Sequence, residues 1–498
     1  MTVSARRSTR QPQTTTAWIG SLSVGTALGY TSSAFPSMAK LDSGVFLNED
    51  QQTWFGALLT LGALIASPVA GLLADATGRR GTMVISAAGS LLGWLTIAVA
   101  GRRTVLYAGR IVTGFSVGMT SLVVPMYVSE VSVARTRGVL GAAVQLSTTI
   151  GIVSVYACGK ICEWRLLSVT CMIPPSLMVI LLWFVPESPR WLLVKGKRNK
   201  ALHAARFLYG ESQDTETLSD AVEESVSTEA FRVRELKLPS VWRPLLLSVF
   251  LMVSQQLSGI NCVMFYAVKI FRDAQPASDP MNSIIGVGAV QVGATLFGTL
   301  VMDKLGRRKL LLTSVALLAA SLCSLGTFFY VKETQGSNFL SDVTWFPLAS
   351  LAIFIVAFSL GMGPVPWLMV SELLSQRIKG FATSVSTCFN WGTAFIITKV
   401  FNDMRSLLGS YGTYRFFSVA MVICLVIVTI YLPETKGRTL EDIQRSFRDE
   451  EQRGTAGRSP ANEAVLQVLD GALYGPPLPE VVKHMPQMTQ RVSKESVH

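Results

Sequence analysis

Apolar residues in this chain fall into a dozen blocks separated by short polar connections. The first six run 17–37, 52–74, 82–100, 104–126, 138–159 and 165–185. The second six run 243–268, 282–302, 310–330, 345–370, 379–402 and 413–432. A helix needs about 20 apolar residues to cross a bilayer core, so the pattern predicts an all-α membrane protein of twelve transmembrane helices. Gly, Pro, Ser and Thr recur inside the blocks, as expected where helices pack closely and bend. Residues 187–242 form a polar interlude that begins PESPRWLLVKGKRNKALHAARFLYG. Its apolar residues recur at helical spacing among cations, which predicts surface helices. From residue 444 the chain is polar, with a Pro-rich piece near Pro476, and reads as disordered. The predicted organisation is a short segment 1–16, a six-helix half 17–186, a linker 187–242, a second half 243–443 and a tail 444–498.

Composition sharpens this picture. Half of the 498 residues are hydrophobic and 15% are charged, against about 25% charged in soluble domains. That leaves too little polar surface to wet a soluble protein of this size. The net charge is +12, but the cations sit in short clusters between the apolar blocks. They read as loop charges that set orientation, not as a nucleic-acid patch. Arg6, Arg7, Arg10, Arg79, Arg80, Arg135, Arg137, the linker, Arg307, Arg308, Lys309, Arg377 and Lys379 fall on one side. Both termini are therefore expected in the cytoplasm. Arg102 and Arg103 are exceptions, and the first outer loop carries Asp42, Glu49 and Asp50. The seven cysteines lie mostly within apolar blocks and read as small core residues. Cys158 and Cys162 have no nearby His pair, so no metal site is expected. No cleavable signal is apparent.

The two sets of blocks repeat one another. DATGRR (75–80) follows the second block and DKLGRR (303–308) the eighth. Glu130 precedes Arg137 and Gly138 after the fourth block, as Glu372 precedes Lys379 and Gly380 after the tenth. PES (186–188) closes the sixth block and PET (433–435) the twelfth. Such pairing predicts a duplicated six-helix unit with parallel halves. Each motif gathers acids and bases at one end of the bundle: Asp75, Arg79, Arg80, Glu130, Arg137, Glu187, Arg190, Asp303, Arg307, Arg308, Glu372, Lys379 and Glu434. Topology alone requires only the cations. The repeated acids predict ion pairs that latch the two halves together in one state and break in the other.

Span centres carry amides rather than charges: Gln145, Gln255, Gln256, Asn261, Gln291 and Asn390. A polar side chain in lipid is costly unless paired, so each is expected to face the bundle interior. One amide is as often helix glue as a ligand contact. Six, beside Trp367 and Trp391, predict a polar cavity suited to a polyhydroxylated, uncharged ligand. Gly259 in QQLSGIN, and Pro364 and Pro366 in GMGPVPW, are expected to break their helices where backbone lines that cavity. No His, Asp or Glu lies at a span centre, so the proton relay of a coupled carrier is missing. Arg110 stands alone in the fourth span, opposite GYTSS (29–33), with no acid there. No nucleophile–base pair, phosphate loop or metal cluster points to an enzyme, and no cofactor is expected.

Over about 17–443 the chain resembles the sugar porter family of the major facilitator superfamily. The matching pieces are GRIVTGFSVG (109–118), PMYVSE (125–130), RG (137–138), PESPRW (186–191), QQLSGIN (255–261), DKLGRR, GPVPW (363–367), NW (390–391) and PETKGRTLEDI (433–443). AFPSM, QQLSGIN followed by MFYA, and LGRR look similar to the insect trehalose transporter group and the related glucose facilitators. The resemblance implies a major facilitator fold and sugar contacts from Gln145, Gln255, Gln256, Asn261, Gln291, Trp367, Asn390 and Trp391. Many relatives have Asn where Gln291 stands, and glucose facilitators often have Glu where Ser359 stands. Ala76 replaces the Arg common in the DATGRR motif. Proton-coupled members carry Asp where this chain has Thr31, which agrees with passive flow. The expected function is facilitative transport of a hexose such as glucose; the alternatives are a trehalose carrier and a transporter-like sugar sensor. The expected partners are a small neutral sugar and the lipid bilayer, with the chain acting as a monomer in the plasma membrane.

Overall fold

The computed structural model describes residues 12–40, 44–132, 137–209, 238–266, 268, 280–335, 345–374 and 378–436. Among these no strand occurs. Nine described helices are long and apolar enough to cross a membrane. The first half contains α1 (Pro12–Met38), α2 (Glu49–Ala98), α3 (Arg103–Val131), α4 (Arg137–Gly159), α5 (Trp164–Thr170) and α6 (Ile173–Leu182). Two short helices follow, α7 (Pro189–Val194) and α8 (Arg198–Tyr209). The second half holds α9 (Pro239–Leu257), α10 (Ile260–Phe265), α11 (Pro280–Leu305), α12 (Arg307–Gln335), α13 (Phe346–Ala357), α14 (Pro364–Leu373) and α15 (Lys379–Tyr431). The tail from 444 and the predicted start of the N-terminal segment lie outside the described residues.

Two helices are twice the length of a span, and each divides at a glycine. In the 50-residue α2 the break is Gly78 (φ 86°, ψ 172°), and in the 53-residue α15 it is Gly409 (φ 68°, ψ 172°). Only glycine takes such angles without strain. Each long helix is therefore a hairpin of two legs. Leu59 on the first leg of α2 and Gly93 on the second both lie against α3, at Gly114 and at Thr113 and Gly109. The predicted blocks 52–74 and 82–100 are these two legs, and 379–402 and 413–432 are the legs of α15. The sixth block is interrupted at Cys171 and Met172, just before Pro174 and Pro175, giving α5 and α6.

Close helix contact rests on small residues, because in lipid the helices gain by backbone approach rather than by escape from water. A Cβ on Gly118 would lie 2.5 Å from the Ala63 carbonyl, and one on Gly29 would lie 3.0 Å from that of Ile152. These contacts join α3 to α2 and α1 to α4. The outward faces carry large apolar side chains: Leu72 is 73% exposed, Leu300 62% and Ile430 65%. In water such a surface would aggregate, whereas against acyl chains it is matched. The ends of the bundle differ. One gathers the ends of α3, α11 and α14 with the Gly78 turn, and is called the charged end below. The other holds the ends of α1, α4 and α10. Gly118→Val should cost about 1–3 kcal/mol by overpacking, read as a lower midpoint of thermal unfolding in detergent. Gly286→Ala, where a Cβ meets no atom within 4 Å, should not lower it.

Candidate binding cavity

A cavity of about 190 Å³ lies between the two halves. Its walls include Gln145 on α4, Gln255 and Gln256 on α9, Asn261 on α10, Gln291 on α11, Trp367 on α14, and Asn390 and Trp391 on α15. The structure thus brings all eight predicted side chains to one space. Gln255, Gln256, Asn261, Gln291 and Asn390 are buried, while Gln145 and Trp367 are half-buried. No Asp, Glu, Lys, Arg or His lines it among the described residues. Towards the charged end the lining continues through Met126, Ser129, Gly141, Met302, Ser371 and Thr383. Towards the opposite end it stops at Leu28, Ile152 and Met264. Beyond these, Phe35, Tyr266 and Phe401 close the bundle, with Tyr266 stacked on Phe401 at 5.3 Å between ring centres. Contacts between the halves are dense there. Asn402 donates to Thr53 (2.6 Å), the Tyr156 hydroxyl to the Met264 carbonyl (3.4 Å) and Lys160 to Asn282 (2.7 Å). The Lys399 ammonium lies 4.8 Å from the Trp54 ring centre.

The amides form a chain of hydrogen bonds that begins at a helix break. The span from Phe346 is interrupted by a π-turn over Phe358–Met362, where the Gly363 N–H donates to the Phe358 carbonyl (2.7 Å). Pro364 opens α14. Pro366 sits within the first turn of α14, just after the interruption. Its lack of an N–H frees the Met362 carbonyl, four residues earlier. Gln255 Nε2 donates to that carbonyl and to Gly363's, both at 2.9 Å. Gln255 Oε1 accepts from Asn390 Nδ2 (3.0 Å), which also reaches the Met252 carbonyl (2.9 Å). Gln256 Nε2 donates to Asn390 Oδ1 (3.0 Å), and Asn261 Nδ2 to Gln256 Oε1 (2.7 Å). Gly259 is left-handed (φ 82°) and divides α9 from α10, which is what turns Asn261 back towards Gln256. Ser314, not singled out from sequence, completes the repair. It donates to the Ala357 carbonyl (2.6 Å) and accepts from the Met362 N–H (2.9 Å). A lone Ser among apolar residues gives no signal that it faces a π-turn. Ser359 is buried in that turn and is not among the lining residues. From the first half, Ser121 accepts from Trp391 Nε1 (3.3 Å).

Arg110 is fully buried without a carboxylate. It donates to Thr31 and to the Phe55 carbonyl (3.4 Å), and lies over the Phe55 and Tyr30 rings at 5.0 and 5.8 Å.

At the charged end the repeated motifs build two matching clusters. The described ion pairs do not join the halves; each lies within one half. Arg79 bonds Glu130 (2.9 and 3.1 Å) and approaches Asp75 (3.5 Å), while Arg307 lies 3.5 Å from Glu372. The backbone anchors each cluster as well. Gly78 and Gly306 both take positive φ (86° and 91°), which aims the N–H groups that follow at an acid of the same half. Glu187 accepts from the Arg79 and Arg80 N–H groups (3.0 and 3.1 Å), and Glu434 from those of Arg307 and Arg308 (3.0 and 3.2 Å). Glu130 accepts from Ser188 (2.5 Å) as Glu372 does from Thr435 (2.6 Å). Ser188 and Thr435 follow the acids in PES and PET and carry the same bond in both halves. Arg190 is half-buried in the first turn of α7. The side chains of Arg137, Asp303 and Lys379 lie outside the described residues. The halves do meet nearby, where a Cβ on Gly380 would lie 3.7 Å from Asp75 Oδ2.

Two helix bundles of matching construction around an uncharged polar cavity define a membrane carrier of the major facilitator type. The family model "Sugar (and other) transporter" matches residues 13–447, and the chain belongs to that family. It is 37% identical over 446 residues to "Solute carrier family 2, facilitated glucose transporter member 8" of Bos taurus, covering 86% of this chain and 92% of the relative. It is 38% identical over 435 residues to "Facilitated trehalose transporter Tret1" of Polypedilum vanderplanki, covering 86% of each. Among solved structures it is similar to the proton:xylose symporter XylE bound to 6-bromo-6-deoxy-D-glucose. There the TM-score is 0.76 and the identity 25%, over 87% of this chain and 98% of that one. The chain is a transporter, not an enzyme.

The two caps make a direct test. Glu187→Ala and Glu434→Ala each remove the acceptor from two backbone N–H groups. Each should lower stability by about 1–2 kcal/mol, measured by thermal unfolding, with Glu→Gln recovering part of the loss.

Proposed function

We propose that this protein is a facilitative sugar carrier that moves a hexose such as glucose down its gradient by alternating access. The observation that carries this reading is the cavity lining: amides and two Trp, with no charged residue among the described ones. Neutral donors and acceptors beside aromatic faces match hydroxyl groups and sugar-ring C–H faces. An anion would call for a cation in the wall, and a proton-coupled carrier for a titratable relay. The eight lining residues named above are the proposed sugar contacts. The cavity runs towards the charged end and is closed opposite, so this is the state open towards the charged end. The clustered positive charge supports reading that end as cytoplasmic. In the opposite state, Glu130, Glu372, Arg137 and Lys379 would meet across the halves as the cytoplasmic latch, while Glu187 and Glu434 keep each half rigid.

The same reading gives twelve crossings. The nine long helices become eleven when α2 and α15 are divided at Gly78 and Gly409, and α1 is the twelfth. It keeps the division into halves 17–186 and 243–443 about a linker 187–242, both termini in the cytoplasm, a plasma-membrane location and a monomeric working unit. A trehalose carrier is the second reading, favoured by the similarity to Tret1. Competition among glucose, fructose and trehalose for uptake decides between them.

Protein reconstituted in vesicles should show saturable sugar uptake that is unchanged when a proton gradient is imposed or dissipated. Uptake that collapses with the gradient would exclude uniport. Gln256→Ala and Trp367→Ala should each weaken sugar binding about tenfold or more, the equivalent of one or two lost hydrogen bonds or a lost stacking face. Both should be read by binding calorimetry on protein that still unfolds cooperatively. Unchanged affinity in both variants would move the site elsewhere.

A further inference from the structure

Transport leaves α7 and α8 without a task. Residues 189–209 hold six Lys or Arg and no Asp or Glu. They nevertheless fold into a defined hairpin. Trp191, Leu192, Ala201 and Ala204 are buried against one another. The Trp191 indole N–H donates to the Asp75 carbonyl (3.0 Å), which pins the hairpin to the Gly78 turn of the bundle. α8 is two-faced: Ala201, Ala204 and Ala205 point inward, and Lys200, His203, Arg206 and Phe207 outward. The Lys195 and Lys197 ammonium groups lie 5.9 and 5.3 Å from the Trp191 ring centre. Among these cations two apolar side chains stand in the open, Val194 at 58% and Phe207 at 43%.

The hairpin begins at Pro189, four residues after Val185, the buried last residue of the sixth predicted span. That distance keeps it within the headgroup layer. Clustered cations there attract acidic headgroups, and exposed apolar residues beside them insert at the acyl boundary. We propose that the outward face of α7 and α8, through Lys195, Lys197, Lys200 and Arg206, binds the headgroups of anionic phospholipids in the cytoplasmic leaflet. Charge that only sets orientation needs the correct side of the membrane; it does not need an ordered hairpin with its cations gathered round a pinned Trp. The rival occupant is this chain's own stretch 211–229, with seven acids and no Lys or Arg, which lies outside the described residues. Val194 and Phe207 favour the lipid, because a stretch with seven acids among nineteen residues offers exposed apolar side chains little to enter.

The proposal rests on the orientation given above. Symmetric vesicles remove that dependence, and lipid retention is read without uptake, so the two readings can fail separately. The full chain is reconstituted in phosphatidylcholine with a minor share of phosphatidylserine, re-extracted in mild detergent, and its retained lipid quantified. Wild type should retain phosphatidylserine well above its bulk share. The combined Lys195→Gln, Lys197→Gln, Lys200→Gln and Arg206→Gln variant should lose that enrichment by about tenfold or more, given the attraction expected per cation. Lys→Arg at the three lysines should keep it. Uptake by the neutralised variant in pure phosphatidylcholine should match wild type, showing that it folds. Equal enrichment in wild type and variant overturns the proposal. So does enrichment that emerges only after deletion of 211–229, which would assign the face to the acidic stretch. Equal competition by soluble glycerophosphoserine would assign it to a free anion rather than a bilayer and overturn it likewise.

Discussion

A backbone carbonyl set free at bilayer depth has to be answered by some other group, because no water is there to do it. In this protein that demand arises at Met362, whose helical donor is removed by Pro366. Gln255 answers it from another helix. The cavity follows from this one repair. Asn390 fixes the other end of the Gln255 amide, Gln256 is held by Asn390, and Asn261 is held by Gln256. Ser314 bonds the Ala357 carbonyl and the Met362 N–H at the two ends of the π-turn. The same side chains therefore keep a broken helix in place and present polar groups to the cavity. A bend that would be a defect in a continuous helix becomes the fixed wall of a site.

The two halves are built alike but meet unequally. Within each half, a left-handed glycine, a capping Glu and an Arg–Glu pair tie three helix ends into one unit. Between the halves, contacts concentrate at the end away from these clusters, through Thr53 and Asn402, Tyr156 and Met264, and Phe35 beside Tyr266. Rigid halves joined at one end and parted by a cavity at the other have the construction that rocking requires. Strength lies inside the units, and the interface that must open carries mainly single hydrogen bonds and aromatic contacts.

Much of this was legible in the sequence for reasons that can be named. The length of each apolar block is set by the thickness of the bilayer, so the helices could be read without knowing their neighbours. The amides were legible because a polar side chain at that depth has few reasons to exist, and all eight predicted residues reach one cavity. The acid–base motifs were legible as a repeat but not in their partners. How the Arg79 and Arg80 N–H groups reach Glu187 depends on the φ angle of Gly78, which a glycine in a sequence leaves open. Ser314 was illegible for a related reason. Its role exists only because Gly361 of the π-turn packs against it, and nothing local to RKLLLTSVA points to a contact nearly fifty residues away. Pro364 and Pro366 were read as a helix break, and the span is interrupted just before them; the sequence left open which carbonyl Pro366 frees and what answers it.

The linear chain of amides would bear on how tightly a sugar is held, if the cavity is where it binds as proposed. Gln256, Asn390 and Asn261 already bond one another before any ligand arrives, so a hydroxyl that takes one of those partners replaces a bond instead of filling a gap. Such a swap yields little net free energy. A deep well would be a handicap here, since a carrier driven only by a concentration difference must release its cargo on the far side as readily as it took it up. A wall that is content when empty keeps both binding and release shallow, and turnover, not grip, becomes the quantity this arrangement favours.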